Sequence, residues 1–165
     1  MKKIITSAII GILVLGGLIW LARPNGTNNT ASVSATSGGS LVALEANNYD
    51  FGSISMAAGK VKHSFKIKNT SEEVVTIGKM YTSCMCTTAS LMIAGKQFGP
   101  IGMPGHGAIP SINQTINPNE EATVEVVFDP AAHGPAGVGR IERSVTLENN
   151  TGKPVLLMLA AMVTP

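Results

Sequence analysis

Cys84 and Cys86 stand two residues apart in the run Thr82-Ser83-Cys84-Met85-Cys86-Thr87-Thr88, and the chain has no other cysteine. Its three histidines are His63, His106 and His133, and its eight methionines include Met56, Met80, Met85 and Met103. Thiolate, imidazole and thioether together suit Cu(I) best and Zn(II) second. A thioether is a weak zinc ligand, so the methionines tilt the choice toward copper. The expected metal set has Cys84 and Cys86 at its centre, completed by His106, His133 and Met103, with His63 outermost. Two other fates of the thiols stay open. Residues i and i+2 of an extended strand lie about 6.6 Å apart, at the upper limit for a disulfide, so a bridge needs a local bend. The pair can also be plain buried thiols behaving as small hydrophobes. A blue-copper centre is a poor fit, because Cys86 is followed by Met92 with no histidine between them.

For such donors to meet, the chain must fold back on itself. Val61, His63, Phe65 and Ile67 alternate with Lys62, Ser64, Lys66 and Lys68, the pattern of a half-buried strand with lysines on its wet face. Ala58-Gly59-Lys60 turns into it from a strand expected over 42–52. The turn at 69–72 leads to a strand over 74–86, on which Met80, Cys84 and Cys86 should leave one face and Met85 the other. A long Gly/Pro-rich connection follows at roughly 90–110. After the turn Asn117-Pro118-Asn119-Glu120, Val124, Val126 and Phe128 alternate with Thr123, Glu125 and Val127. Strands over 141–147 and 155–163 close the chain, with Met158 and Met162 read as core. About seven short strands without a helical period predict an all-β, antiparallel, immunoglobulin-like sandwich over residues 41–165. The inter-sheet cysteine pair and core tryptophan of antibody domains are missing, so aliphatic packing must carry the core. In that topology the strand over 74–86 returns to the end where 61–68 begins. His133 follows the strand over 123–128 at the same end, Met56 lies in the turn there, and the connection bearing Met103 and His106 departs from it. All six candidate donors should therefore collect at one tip.

The landmarks also resemble a known family. Asp50-Phe51-Gly52, the run KVKHSFKIKNT from Lys60 to Thr70, the Ser83-Cys84-Met85-Cys86-Thr87 segment, Asn117-Pro118 and Val127-Phe128-Asp129-Pro130 are similar to a family of uncharacterised bacterial immunoglobulin-like domains. Its usual signature is Asp-Phe-Gly, Phe-Lys-Phe-Lys-Asn-Thr, Ser-Cys-Gly-Cys-Thr, Pro-Gly-Glu and Thr-Phe-Asp-Pro, and it resembles the abnormal-spindle and hydin type of module. The likeness spans about residues 45–163. Met85 stands where the family has glycine, and the connection at 90–110 is longer and richer in Gly, Met and His. The resemblance implies the sandwich fold and carries no activity with it.

Composition narrows the function. The 165 residues are 44% hydrophobic and only 13% charged, which excludes a disordered charged tail as the main body. Setting aside Lys2, Lys3 and Arg23 leaves nine basic against ten acidic residues over 24–165, so no basic surface for nucleic acid is expected. Catalysis is not expected either. The only aspartates, Asp50 and Asp129, lie in the family's structural motifs, no nucleophile elbow is present, and the glycines near 99–107 lack the Lys-Ser/Thr of a phosphate loop.

Lys2 and Lys3 precede residues 4–22, nineteen positions without a charge, and Arg23-Pro24 closes the run. As a helix this run spans roughly 28 Å, enough to cross a bilayer, and the paired lysines favour a cytoplasmic N-terminus. Residues 1–23 are thus expected to be an uncleaved membrane anchor and 24–40 a flexible linker. The domain would stand outside a bacterial cytoplasmic membrane, periplasmic or cell-surface. Cleavage after Ala22 is the competing outcome, disfavoured by Trp20 where a small residue is wanted. The functional expectation is a tethered binding module, with copper held at one tip. The alternative is a protein-interaction or envelope-scaffold domain with structural cysteines, meeting an envelope protein partner. A redox thiol protein using Cys84 and Cys86 is the third class.

Overall fold

The computed structural model describes residues 40–105 and 108–165. The expected anchor over 1–23, nearly all of the linker over 24–40, and His106 lie outside them. Among the described residues no helix is long and apolar enough to cross a membrane.

Among the described residues there are ten strands: β1 Leu41–Ala43, β2 Asn48–Ser55, β3 Val61–Asn69, β4 Val75–Thr82, β5 Thr87–Ile93, β6 Lys96–Ile101, β7 Gln114–Ile116, β8 Glu121–Phe128, β9 Gly139–Asn149 and β10 Val155–Thr164. They form two five-stranded sheets in the orders β1-β3-β8-β5-β6 and β2-β10-β9-β4-β7. Between them lies an aliphatic core with Phe65, Ile67, Leu91, Val124 and Val126 from the first sheet and Ile77, Met80, Val145, Leu147, Leu157 and Leu159 from the second. Each fully buried aliphatic side chain is worth roughly 1.5–3 kcal/mol against exposure, and these positions alternate with wet ones as a two-residue period requires.

The sandwich corrects the expectation of about seven antiparallel strands in three places. The strand expected over 42–52 is two, because β1 pairs with β3 while β2 pairs in parallel with β10 in the other sheet. The strand expected over 74–86 stops at Thr82, and the chain crosses between sheets to begin β5 at Thr87. The connection at 90–110 contains most of a β5–β6 hairpin, in which Ile93 faces Lys96. Ala94 and Gly95 both have positive φ, 47° and 78°, as a two-residue type I′ turn demands. Within this hairpin a Cβ on Gly99 would come 2.8 Å from the Ala89 carbonyl oxygen, so only glycine fits there.

Met158 and Met162 are not core. On β10 Val155, Leu157, Leu159, Ala161 and Val163 point inward, and Met162 is 41% exposed. In an unbroken apolar run no local signal sets which parity faces in; pairing with β9 and β2 does.

Asn69, at the end of β3, is fully buried. Its Nδ2 donates to the carbonyls of Glu73 and Ile116 at 2.7 and 3.0 Å, and its Oδ1 accepts from the Ser71 N–H at 3.0 Å. It ties β3 to β7 across the sandwich edge. Asn69→Ala strands these groups and is expected to lower the unfolding free energy by about 2–4 kcal/mol. An unchanged urea midpoint would contradict this.

Candidate metal centre

The sheet-to-sheet crossing builds the site. The Thr87 N–H donates to the Cys84 carbonyl at 3.1 Å, closing a turn with Met85 and Cys86 at its centre. The buried Thr82 hydroxyl lies 3.0 and 2.9 Å from the carbonyls of Cys84 and Thr87. Ser83 and Ser144 pin the turn to β9: the Ser83 N–H donates to the Ser144 carbonyl and the Ser144 N–H to Ser83 Oγ, both at 2.9 Å. On the far side the Asp129 N–H donates to the Cys86 carbonyl at 2.8 Å. The cysteines therefore sit on a turn, not a strand. The bend brings both sulfurs to one side while Met85 points out, 59% exposed. Both thiols are free, Cys86 buried and Cys84 partly so.

His133 arrives from the loop after β8. Asp129 Oδ1 accepts from the Ala131 N–H at 3.0 Å, and the Gly134 N–H donates to the Ala131 carbonyl at 2.9 Å. This tight chain places His133 Nε2 3.2 Å from Cys84 Sγ. Ligand atoms of Cys84, Cys86 and His133 all lie within 4.8 Å of one another.

Arg143 completes the surroundings and was not among the sequence candidates. It occupies the inward-facing parity of β9, between Ile141 and Val145. Its Nε donates to Cys86 Sγ at 3.2 Å and its Nη1 to the Glu142 carbonyl at 2.8 Å. Among the described residues no carboxylate pairs with it. The signal was present in the sequence, since an arginine in the apolar register of a strand needs an anionic or strongly accepting partner.

Burial pushes the Cys84 thiol up. Hydrogen bonds from the Cys86 thiol and N–H and from His133, with the Arg143 charge, outweigh it and bring the pKa down to about 7. Cys86 goes the other way: burial and the neighbouring Cys84 thiol raise it, against the opposing hydrogen bonds of Arg143 and Thr87. One thiol of the pair is thus ready to ionise near neutrality while the other holds its proton.

Of the remaining expected donors, His63 and Met103 do not join. The His63 ring stacks on Tyr49 of β2 with centroids 3.7 Å apart and meets Phe65 edge-on at 4.6 Å. It faces inward as its alternation implied, yet an aromatic neighbour takes it up. Met103 lines a shallow groove with Pro100, Ile101 and Ala108, a groove that holds neither cysteine. His106 lies outside the described residues. Met56 does reach this end, packing with Val61 and Phe51 against the small cluster around Cys86 and Phe128. Cys84, Cys86 and His133 come together, while His63 and Met103 stand apart from them.

Residues 42–99 match a family described as "Protein of unknown function (DUF1573)". The match takes in both cysteines but stops before His133 and Arg143, a shorter span than the resemblance over 45–163. No curated protein matches the chain in sequence. Among solved structures, a protein of unknown function from Porphyromonas gingivalis W83 is 14% identical, with a TM-score of 0.54 over 81% of this chain and 51% of that one. The chain therefore spans about half the length of that protein. A family 123 glycoside hydrolase from Clostridium perfringens is 9% identical, with a TM-score of 0.52 over 73% of this chain and 23% of its own. The human CEP192 PapD-like domain 7 is 11% identical, with a TM-score of 0.47 over 78% of this chain and 87% of that domain. At such identities likeness speaks to fold alone.

Iodoacetamide is expected to alkylate Cys84 at a rate that rises as pH climbs through about 7, because the thiolate is the nucleophile. Cys86, buried and with its ionisation pushed up, should react more slowly at every pH. Arg143→Leu removes a stabilising charge and should move the Cys84 midpoint upward. Peptide mass spectrometry reads all three, and equal rates at the two cysteines would rule out the asymmetry.

Proposed function

We propose that the domain is a binding module for Cu(I), held by Cys84, Cys86 and His133, and displayed outside a bacterial cytoplasmic membrane on the segment 4–22. The observation that carries the metal reading is the mutual approach of two sulfurs and one imidazole nitrogen within 4.8 Å. Donors bonded at about 2.0–2.3 Å around one ion stand roughly 3.5–4 Å from each other, so small side-chain adjustments suffice.

The donor chemistry favours copper. Two thiolates and one imidazole make a soft three-donor set of the kind Cu(I) accepts, whereas structural zinc takes four ligands. Zn(II) remains the second choice. A groove of about 410 Å³ lined by His133, Gly137, Glu142 and Arg143 opens beside the site, giving an incoming ligand access. That access suits an ion that is passed on. Nothing in the donor set calls for catalysis, and the reading is of a binding protein, not an enzyme. The membrane tether rests on the charge pattern of residues 1–23.

The reduced, purified protein, loaded with Cu(I) and challenged with a competing chelator, should retain about one copper per chain. Cys84→Ser/Cys86→Ser should abolish retention, and His133→Ala should weaken it tenfold or more. Copper retention unchanged in the double variant would overturn the metal site and leave the interaction-domain alternative standing.

A further inference from the structure

We infer that Arg143 makes this centre select a monovalent soft cation over a divalent one; the inference rests on the metal reading above. Two thiolates and a neutral imidazole carry −2. A monovalent ion leaves −1, which the adjoining guanidinium balances. A divalent ion leaves the ligand set neutral, and the guanidinium then stands uncompensated beside it.

Arg143 cannot easily avoid this role. Its backbone is fixed in β9, paired with Leu159 of β10, and its side chain leaves on the inward face. The Nε sits 3.2 Å from Cys86 Sγ, and Nη1 is held by the Glu142 carbonyl. Guanidinium keeps its proton at any ordinary pH, and it has no lone pair with which to ligate a metal. A metal bonded to that sulfur would lie roughly 4–5 Å from the positive charge, given bonds of about 2.3 Å. At an effective dielectric near 20, the second positive charge of a divalent ion is then disfavoured by on the order of several hundredfold. Solvent on the His133 side reduces this, leaving about tenfold or more.

The donor group points the same way. Structural zinc takes four protein ligands, but among the described residues the group has three: Cys84, Cys86 and His133. Glu142 lies on the opposite, outward parity of β9, and its backbone carbonyl accepts from Arg143.

The test compares Cu(I) and Zn(II) affinities, each by chelator competition, in the parent chain, Arg143→Gln and Arg143→Lys. Arg143→Gln should shift the affinity ratio toward Zn(II) by tenfold or more, and Arg143→Lys, which keeps the charge, should stay close to the parent. Arg143→Leu, which removes the charge and suits the apolar parity of β9, gives a second neutral variant. It should shift the ratio toward Zn(II) as Arg143→Gln does. An unchanged ratio in Arg143→Gln overturns the role of Arg143 while leaving the metal site intact; should that variant fail to fold, an unchanged ratio in Arg143→Leu overturns it equally. Failure of the parent chain to hold either ion overturns both readings together.

Discussion

The short stretch between Thr82 and Thr87 has to carry the chain from one sheet to the other, and the candidate site is a consequence of how it does so. Backbone groups in this crossing would be lost to both ladders. They are recovered by the Thr87–Cys84 turn bond, the contacts of the buried Thr82 hydroxyl, the Ser83–Ser144 exchange and the Asp129–Cys86 bond. Buried backbone polar groups are seldom left unpaired. These bonds therefore do more than tidy a loop: they hold the Cys84 and Cys86 sulfurs on one side, against β9 on one flank and the loop after β8 on the other. A straight strand would have held the same two residues about 6–7 Å apart along its axis.

The second constraint is electrostatic. Arg143 projects from the core-facing register of β9, where its neighbours are Ile141 and Val145. A cation brought in from water needs compensation, and what the fold supplies is sulfur. The two thiols respond in opposite senses, Cys84 brought down to about 7 and Cys86 pushed up. The same guanidinium acts on both; what separates them is burial and the hydrogen bond from Cys86 toward Cys84. The centre is thus an anion-stabilising corner of an otherwise aliphatic sandwich.

Much of this was legible residue by residue. The alternation over 61–68 and 123–128 matches β3 and β8, and the reversal it implies brings His133 and the cysteines to one end. The end of β4 was not legible, because Thr82-Ser83 carries no glycine or proline and the alternating pattern runs on to Cys86. Nor was the β5–β6 hairpin, whose Ala94-Gly95 turn lacks the usual Asn-Gly signal. His63 has the inward parity expected of it, but its partner, Tyr49, belongs to the opposite sheet, and only the packing of the two layers reveals that. Arg143 was visible in the sequence as a break in the apolar register of Ile141, Val145 and Leu147.

How the site relates to the core bears on what kind of metal centre it can be. The main aliphatic core runs from Leu41 through Ile77 and Leu91 to Leu159 and contains neither cysteine. Cys86 belongs instead to a small satellite cluster with Phe128, Ile141, Ala161 and Val163 at one tip. A structural metal supplies folding energy that a weak core cannot, but this sandwich has a large core of its own. The donors are also graded in exposure: Cys86 is buried in the satellite cluster, Cys84 is half-covered, and His133 stands exposed on a loop. A buried sulfur floor beneath an exposed imidazole would allow ligands to be exchanged one at a time without disturbing the sheets, an arrangement that would suit holding and releasing an ion more than bracing a fold.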